Sequence, residues 1–271
     1  MPRAKHALVS LKPGLGALRA REFVISCEHA SNRIPSRYEL LGLPPARLET
    51  HIAWDQGAKE MARLCARLLG CPCHEGRYSR LLVDLNRSLH HPHLMAKESA
   101  GIGIRRNGAI SKQERDERIK RYYTPYREAL LSSIRTTIRR QGRCVHFSMH
   151  SFTPSLLGRD RRADYGILFD PHRPRERALA SLLAKALREQ GWLVRFNYPY
   201  RGVSDGFTSM ARRLFSQREY LGIELELNQK YLRDPESIRR MARQFARTLA
   251  GVVEDAGQRR SWAAWKAWRE L

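Results

Sequence analysis

The chain has 271 residues, 42% of them hydrophobic, with five Trp and a formal net charge of +23. That length and apolar content suit one large α/β domain or two small ones and exclude global disorder. The arginines behind the charge are scattered, as at Arg33, Arg63, Arg118, Arg139, Arg188 and Arg240, which reads as solvated helix faces rather than a nucleic-acid-binding arm.

Residues 1–21 form a loose lead-in with Pro13, Gly14 and Gly16. A short apolar run at about 22–27 predicts a buried strand that ends in Glu28-His29-Ala30-Ser31-Asn32-Arg33-Ile34-Pro35. Ala53, Ala58, Met61, Leu64, Cys65 and Leu68 recur at helical spacing and predict a helix over His51–Leu69. Arg80 to Arg87 reads as a second short strand, followed by the His-rich loop His90-His91-Pro92-His93 and a loop over 94–110. His51, His90, His91 and His93 read as surface or loop residues.

Ser111-Lys112-Gln113-Glu114 has the form of a capping box. The helix it opens carries Ile119, Tyr123, Tyr126, Leu130, Ile134 and Ile138 on one face, and Pro125 is expected to kink it. Further strands are predicted at Cys144–Met149, Tyr165–Phe169, Leu193–Phe196 and Leu221–Leu227, with helices at about 176–190 and 235–255. Gly202 to Gly206 reads as a turn or a pocket lining. Trp262, Trp265 and Trp268 stand three apart in a C-terminal helix over 257–271, as a docking stripe. Strands alternating with helices argue one layered α/β domain over 22–256.

The five cysteines are odd in number and form no C-x-x-C pair, so a disulfide scaffold is not expected and a reducing compartment is. The first twenty residues lack a continuous apolar core, and no run reaches the roughly 18 apolar residues of a membrane span. A cytoplasmic protein is expected.

The polar residues at the strand ends form a constellation. His29, Asp84-x-Asn86-Arg87, His150 and Glu226 all end predicted strands. Two imidazoles, an acid that completes a three-ligand set and a further glutamate are the parts of a catalytic zinc centre with three protein ligands and an open position. A nearby carboxylate then serves as base and proton shuttle. Asn86 and Arg87 suit a carboxylate-bearing substrate, because guanidinium binds carboxylate through two parallel hydrogen bonds. Strand alternation sets Glu224 on the same face as Glu226, so either can be the active carboxylate. Asp84 reads as a structural acid paired with an arginine such as Arg80.

These pieces resemble the N-formylglutamate amidohydrolase family. The segments that carry the resemblance are Glu28–Pro35, His51-Ile52-Ala53-Trp54-Asp55, Ser79–Ser88, His150-Ser151-Phe152-Thr153-Pro154 and Ile223–Gln229, in that order from about residue 22 to 235. The resemblance implies a three-layer sandwich with a central mixed sheet flanked by helices, as in zinc carboxypeptidases and aspartoacylases. It implies one Zn2+ ion and hydrolysis of N-formyl-L-glutamate to formate and glutamate, a late step of one histidine degradation route. By the same resemblance His29 and His150 are metal ligands, Glu226 activates water, and Asn86 and Arg87 hold the substrate carboxylate, with Arg80 placed among the substrate-binding residues. The third ligand departs from the carboxypeptidase pattern, since Asn32 stands where those enzymes keep a Glu. Asp55 is the preferred replacement and Glu28 the fallback. Two other readings compete: hydrolysis of another N-acyl amino acid or peptide, and a basic nucleic-acid-binding protein on an inactive hydrolase scaffold.

Overall fold

The computed structural model describes residues 21–156 and 158–257. Six strands build the central sheet: β1 (Phe23–Cys27), β2 (Cys73–Glu75), β3 (Cys144–Phe152), β4 (Tyr165–Leu168), β5 (Val194–Phe196) and β6 (Tyr220–Asn228). Their spatial order is β2-β1-β3-β6-β4-β5. The first four in that order are parallel, β4 runs antiparallel to β6, and β5 is parallel to β4. The sheet is therefore mixed, as expected. The connecting helices are α1 (Ala58–Leu69), α2 (Lys112–Arg118), α3 (Thr124–Gln141), α4 (Pro174–Glu189), α5 (Phe207–Leu214) and α6 (Pro235–Gly257).

Every residue of β1, β3 and β6 is buried, yet the two faces of this central trio differ. Alternation sends Phe23, Ile25 and Cys27, Val145, Phe147 and Met149, and Leu221, Ile223, Leu225 and Leu227 to one side. There they join Met61, Cys65, Leu183, Met241 and Phe245 in the main apolar core, under α1, α4 and α6. The opposite side begins with Val24, Cys144 and Tyr220 against Leu130 and Ile134 of α3 and Phe207 and Ala211 of α5. Further along the same side come Ser26, His146, Ser148, His150, Glu224 and Glu226. Helices on both faces make three layers.

Several expectations change. The stretch 80–87 is a pair of turns, not a strand, and the place beside β1 is taken by β2. Its apolar run is genuine, since Leu81, Leu82, Val83 and Leu85 are buried, but a short apolar run does not specify backbone form. The carbonyls of this buried loop are satisfied by side chains. Asn107 Nδ2 donates to Leu81 O at 2.8 Å, Arg118 to Leu82 O at 3.1 Å, Arg127 to Leu85 O at 2.9 Å and Tyr123 Oη to Arg87 O at 2.7 Å. Arg118 is thus fully buried rather than solvated, with further bonds to Asn107 Oδ1 at 2.7 Å and to Glu114.

Helix α1 starts seven residues later than predicted. Gly57 ahead of it has φ +74, and a Cβ there would lie 2.6 Å from Leu232 Cβ, so 51–57 is a turn region. Ser111 caps α2 as expected, accepting from Glu114 N at 3.1 Å. Ahead of Pro125 the chain widens into a π-helical turn over Ile119–Tyr123, which absorbs the missing proline N–H. Strand β3 runs on to Phe152, so His150 lies within it rather than after it. Helix α5 was not anticipated, nor were the short antiparallel pairings of 98–99 with 102–103 and of 155–156 with 159–160. The Trp stripe at 262–268 lies outside the described residues, as does the lead-in up to residue 20.

Arg118→Leu should lower stability by about 2–5 kcal/mol in denaturant unfolding, because it leaves the Leu82 carbonyl and Asn107 Oδ1 unpartnered inside the protein and removes one of the two arginines on Glu114. A loss under about 0.5 kcal/mol would show that the loop does not depend on this guanidinium.

Candidate metal and catalytic site

The parallel β3–β6 pairing sets His150 and Glu226 opposite each other. His29 leaves the neighbouring β1 two residues past its end, and its carbonyl accepts the Asp55 amide at 3.0 Å. That bond draws the turn before α1 over the sheet edge. His29, Asp55 and His150 are all buried, and one ligand atom from each lies within 4.8 Å of the others. The His29 and His150 rings are 5.0 Å apart.

Hydrogen bonds orient both rings. His29 Nε2 donates to Asp84 Oδ1 at 2.7 Å, which leaves Nδ1 with its lone pair facing Asp55 Oδ2 at 3.5 Å. His150 Nδ1 lies 2.8 Å from Asp55 Oδ2, and Nε2 lies 2.9 Å from Ser148 Oγ and 3.4 Å from Glu28 Oε2. Ser148 Oγ donates to Glu28 Oε2 at 2.5 Å and Tyr126 Oη donates to Glu28 Oε1 at 3.1 Å. Carboxylates behind both imidazoles are the outer partners that hold metal-binding histidines in place. Arg80 contacts both Asp55 and His29 Nδ1.

The carboxyl groups divide electrostatically. Burial alone would raise Asp55 and Asp84, but His29 and Arg80 beside both hold them below the ordinary range, His150 helping at Asp55. Burial opposes ionisation of Glu28 too, and His150 with Ser148 outweighs it. Burial pulls His150 down, but hydrogen bonds to Asp55 and Glu28 raise it well above its usual value. Glu226 goes the other way. Burial raises it to about 7, Asp55 and Glu224 adding to the effect while His150 and Arg80 oppose it. Its Oε2 is buried with no partner among the described residues.

The structure brings together His29, Asp55, His150, Glu226, Arg80 and Asn86. Asp55 is the acid that completes the cluster, while Glu28 sits behind His150. Asp84 pairs with His29 rather than with an arginine such as Arg80, which pairs with Asp55; this corrects its reading. Asn86 Nδ2 lies 3.5 Å from His150 Nε2, but its Oδ1 accepts the Phe207 amide at 2.7 Å. Arg87 donates to Asp205 O at 2.7 Å. Glu224 accepts from Thr208 Oγ1 at 2.5 Å, so it is satisfied where Glu226 is not. Sequence reasoning overlooked Ser148 and Tyr126. The signal for Ser148 was its place two residues before His150, on the same face of the strand. Among the described residues no helix is long and apolar enough to cross a membrane.

The cluster fits a divalent metal on its own chemistry: two imidazoles and a carboxylate, dry, preoriented, and beside an unpartnered carboxylate oxygen. Elemental analysis should find about one divalent ion per chain, lost in Asp55→Ala, with Asp84→Asn binding it about 10- to 100-fold more weakly. Unchanged metal content in Asp55→Ala would remove Asp55 from the ligand set.

The raised Glu226 carboxyl carries a sign for stability. Its contribution is fully present below the unfolded value near 4.5 and is lost as pH rises through about 7. Metal-free Glu226→Gln should therefore gain on the native protein between those limits, by a difference on the order of 3 kcal/mol. Urea unfolding of both across that range checks this, and a flat difference would refute it.

The family model for N-formylglutamate amidohydrolase matches residues 21–232. The gene product Atu2144 from Agrobacterium tumefaciens has a similar structure, with a TM-score of 0.79 and 28% identity over 88% of this chain and 92% of that one. The N-formylglutamate amidohydrolase from Ralstonia eutropha JMP134 shares the fold, with a TM-score of 0.67 and 20% identity over 86% and 93% of the two chains. No curated protein matches the chain.

Proposed function

The chain belongs to the N-formylglutamate amidohydrolase family, and from that premise we propose that it is a zinc-dependent hydrolase of N-formyl-L-glutamate or a close N-acyl amino acid. The observation that carries the reading is Glu226. Its Oε2 is buried without a partner, its strand position is paired with that of His150 in the buried His29–Asp55–His150 cluster, and its pKa is brought to about 7.

His29, Asp55 and His150 would hold the zinc ion. Bound there, the ion would supply an acidified water and a polarised carbonyl. Glu226 accepts the proton of the attacking water at Oε2 and returns it to the departing amine nitrogen. A carboxylate near neutrality suits both transfers, since it is ionised often enough to accept and acidic enough to donate. Asp84 and the Glu28–Ser148 pair keep the two imidazoles fixed meanwhile. Arg80 lies against the cluster, where a guanidinium meets negative charge developing on the carbonyl oxygen. Asn86 and Arg87 stand at the same edge to receive a substrate carboxylate.

Glu226→Gln should cut kcat by about 100- to 10,000-fold while the metal content stays that of the native protein. Formate release from N-formyl-L-glutamate, set against acetyl- and succinyl-amino acids, gives the assay and the substrate range. Near-native turnover in Glu226→Gln would overturn the assigned role.

A further inference from the structure

A substrate such as N-formyl-L-glutamate carries two carboxylates, and the arginines expected to meet them are largely engaged. Arg80 is paired with Asp55 and His29, and Arg87 reaches the Asp205 carbonyl. Another guanidinium stands at the same rim. Arg161 is fastened by its backbone between the ends of the two site strands. Its amide donates to Pro154 O at 2.7 Å, just past β3, and its carbonyl accepts from Asn228 Nδ2 at 3.1 Å, at the end of β6.

The Arg161 side chain lies over the Tyr200 ring, with Cζ 5.6 Å from the centroid. Among the described residues no carboxylate forms an ion pair with it. His51, in the turn before α1, has a buried Nε2 with no partner, and so does the Thr153 hydroxyl one residue before Pro154. Burial lowers the His51 pKa, and the Arg80 and Arg161 charges lower it further, so all three share one neighbourhood. The loop that carries Tyr200 is seated tightly. A Cβ at Gly166 would lie 1.8 Å from Tyr198 O and 3.1 Å from Glu226 Cβ. The backbone two residues before Tyr200 is therefore packed against the strand residue next to Glu226.

We propose that Arg161, backed by Tyr200 and flanked by His51 and Thr153, is the specificity subsite that binds the side-chain carboxylate of an anionic N-acyl amino acid. This deepens the proposed function and rests on it. A stacked guanidinium keeps its donors pointed in a fixed plane, which suits a carboxylate. A neutral side chain of equal size leaves the guanidinium without its anion, so discrimination follows from charge rather than shape.

Two measurements test the proposal on the full-length protein. Calorimetry with glutarate should show binding about 10- to 100-fold weaker in Arg161→Gln than in the native protein. Arg195→Gln removes one rim charge from the stack on Tyr198 and should stay within about two-fold of native. In turnover, Arg161→Gln should raise KM for N-formyl-L-glutamate by a similar factor, leave kcat nearly unchanged, and leave KM for N-formyl-L-glutamine as it was. The proposal is overturned if the native protein does not bind glutarate, if Arg161→Gln binds it normally, or if Arg195→Gln loses as much. If glutarate binding depends on Arg161 and neither formyl substrate is cleaved, the proposed function falls and the anion subsite stands.

Discussion

The polar face shared by β1, β3 and β6 is the constraint that organises the molecule. A polar side chain on a fully buried strand costs free energy unless a partner is found inside the protein. Along this face the requirement is met in sequence. Tyr220 bonds His146 at 2.7 Å, His146 bonds Ser26 at 2.8 Å, and Ser148 joins Glu28 to His150. Thr208 satisfies Glu224. Glu226 alone on this face keeps a carboxylate oxygen without a partner. Its proposed role as a base and its cost to stability have the same origin, a buried carboxylate held beside a cluster that can accept a cation.

A second demand comes from the buried turns of 80–87, which carry Arg80, Asp84, Asn86 and Arg87 to the site. Loops usually lie at the surface because their backbone groups need water. Here Asn107, Arg118, Tyr123 and Arg127 replace that water. Part of the arginine excess therefore serves the interior, where a guanidinium spreads several donors over several carbonyls. Net charge by itself is a poor guide to what a basic protein binds.

In the proposed function, chemistry and specificity are held by different parts of the fold. The groups assigned to the reaction sit on strands and on the turns pinned to them, which gives the fixed geometry that proton transfer requires. The rim residues Arg161 and Tyr200 belong to connecting segments at the strand ends, where variation leaves the sheet intact.

The sequence by itself determined the layered α/β class, most strands and helices, and the polar groups at the strand ends, because periodicity and residue type are local properties. His29, His150 and Glu226 were legible for that reason. Asp55 entered as a candidate through the family resemblance, with Glu28 and Asn32 left beside it. Only the tertiary structure decided that Asp55 meets both histidines, that Asp84 belongs to His29, and that Glu224 is satisfied while Glu226 is not. The same holds for 80–87, whose apolar run fits a strand or a buried turn equally well. These outcomes depend on contacts between residues far apart in the chain, and partner identity for a buried polar group is set by packing, which no local pattern contains.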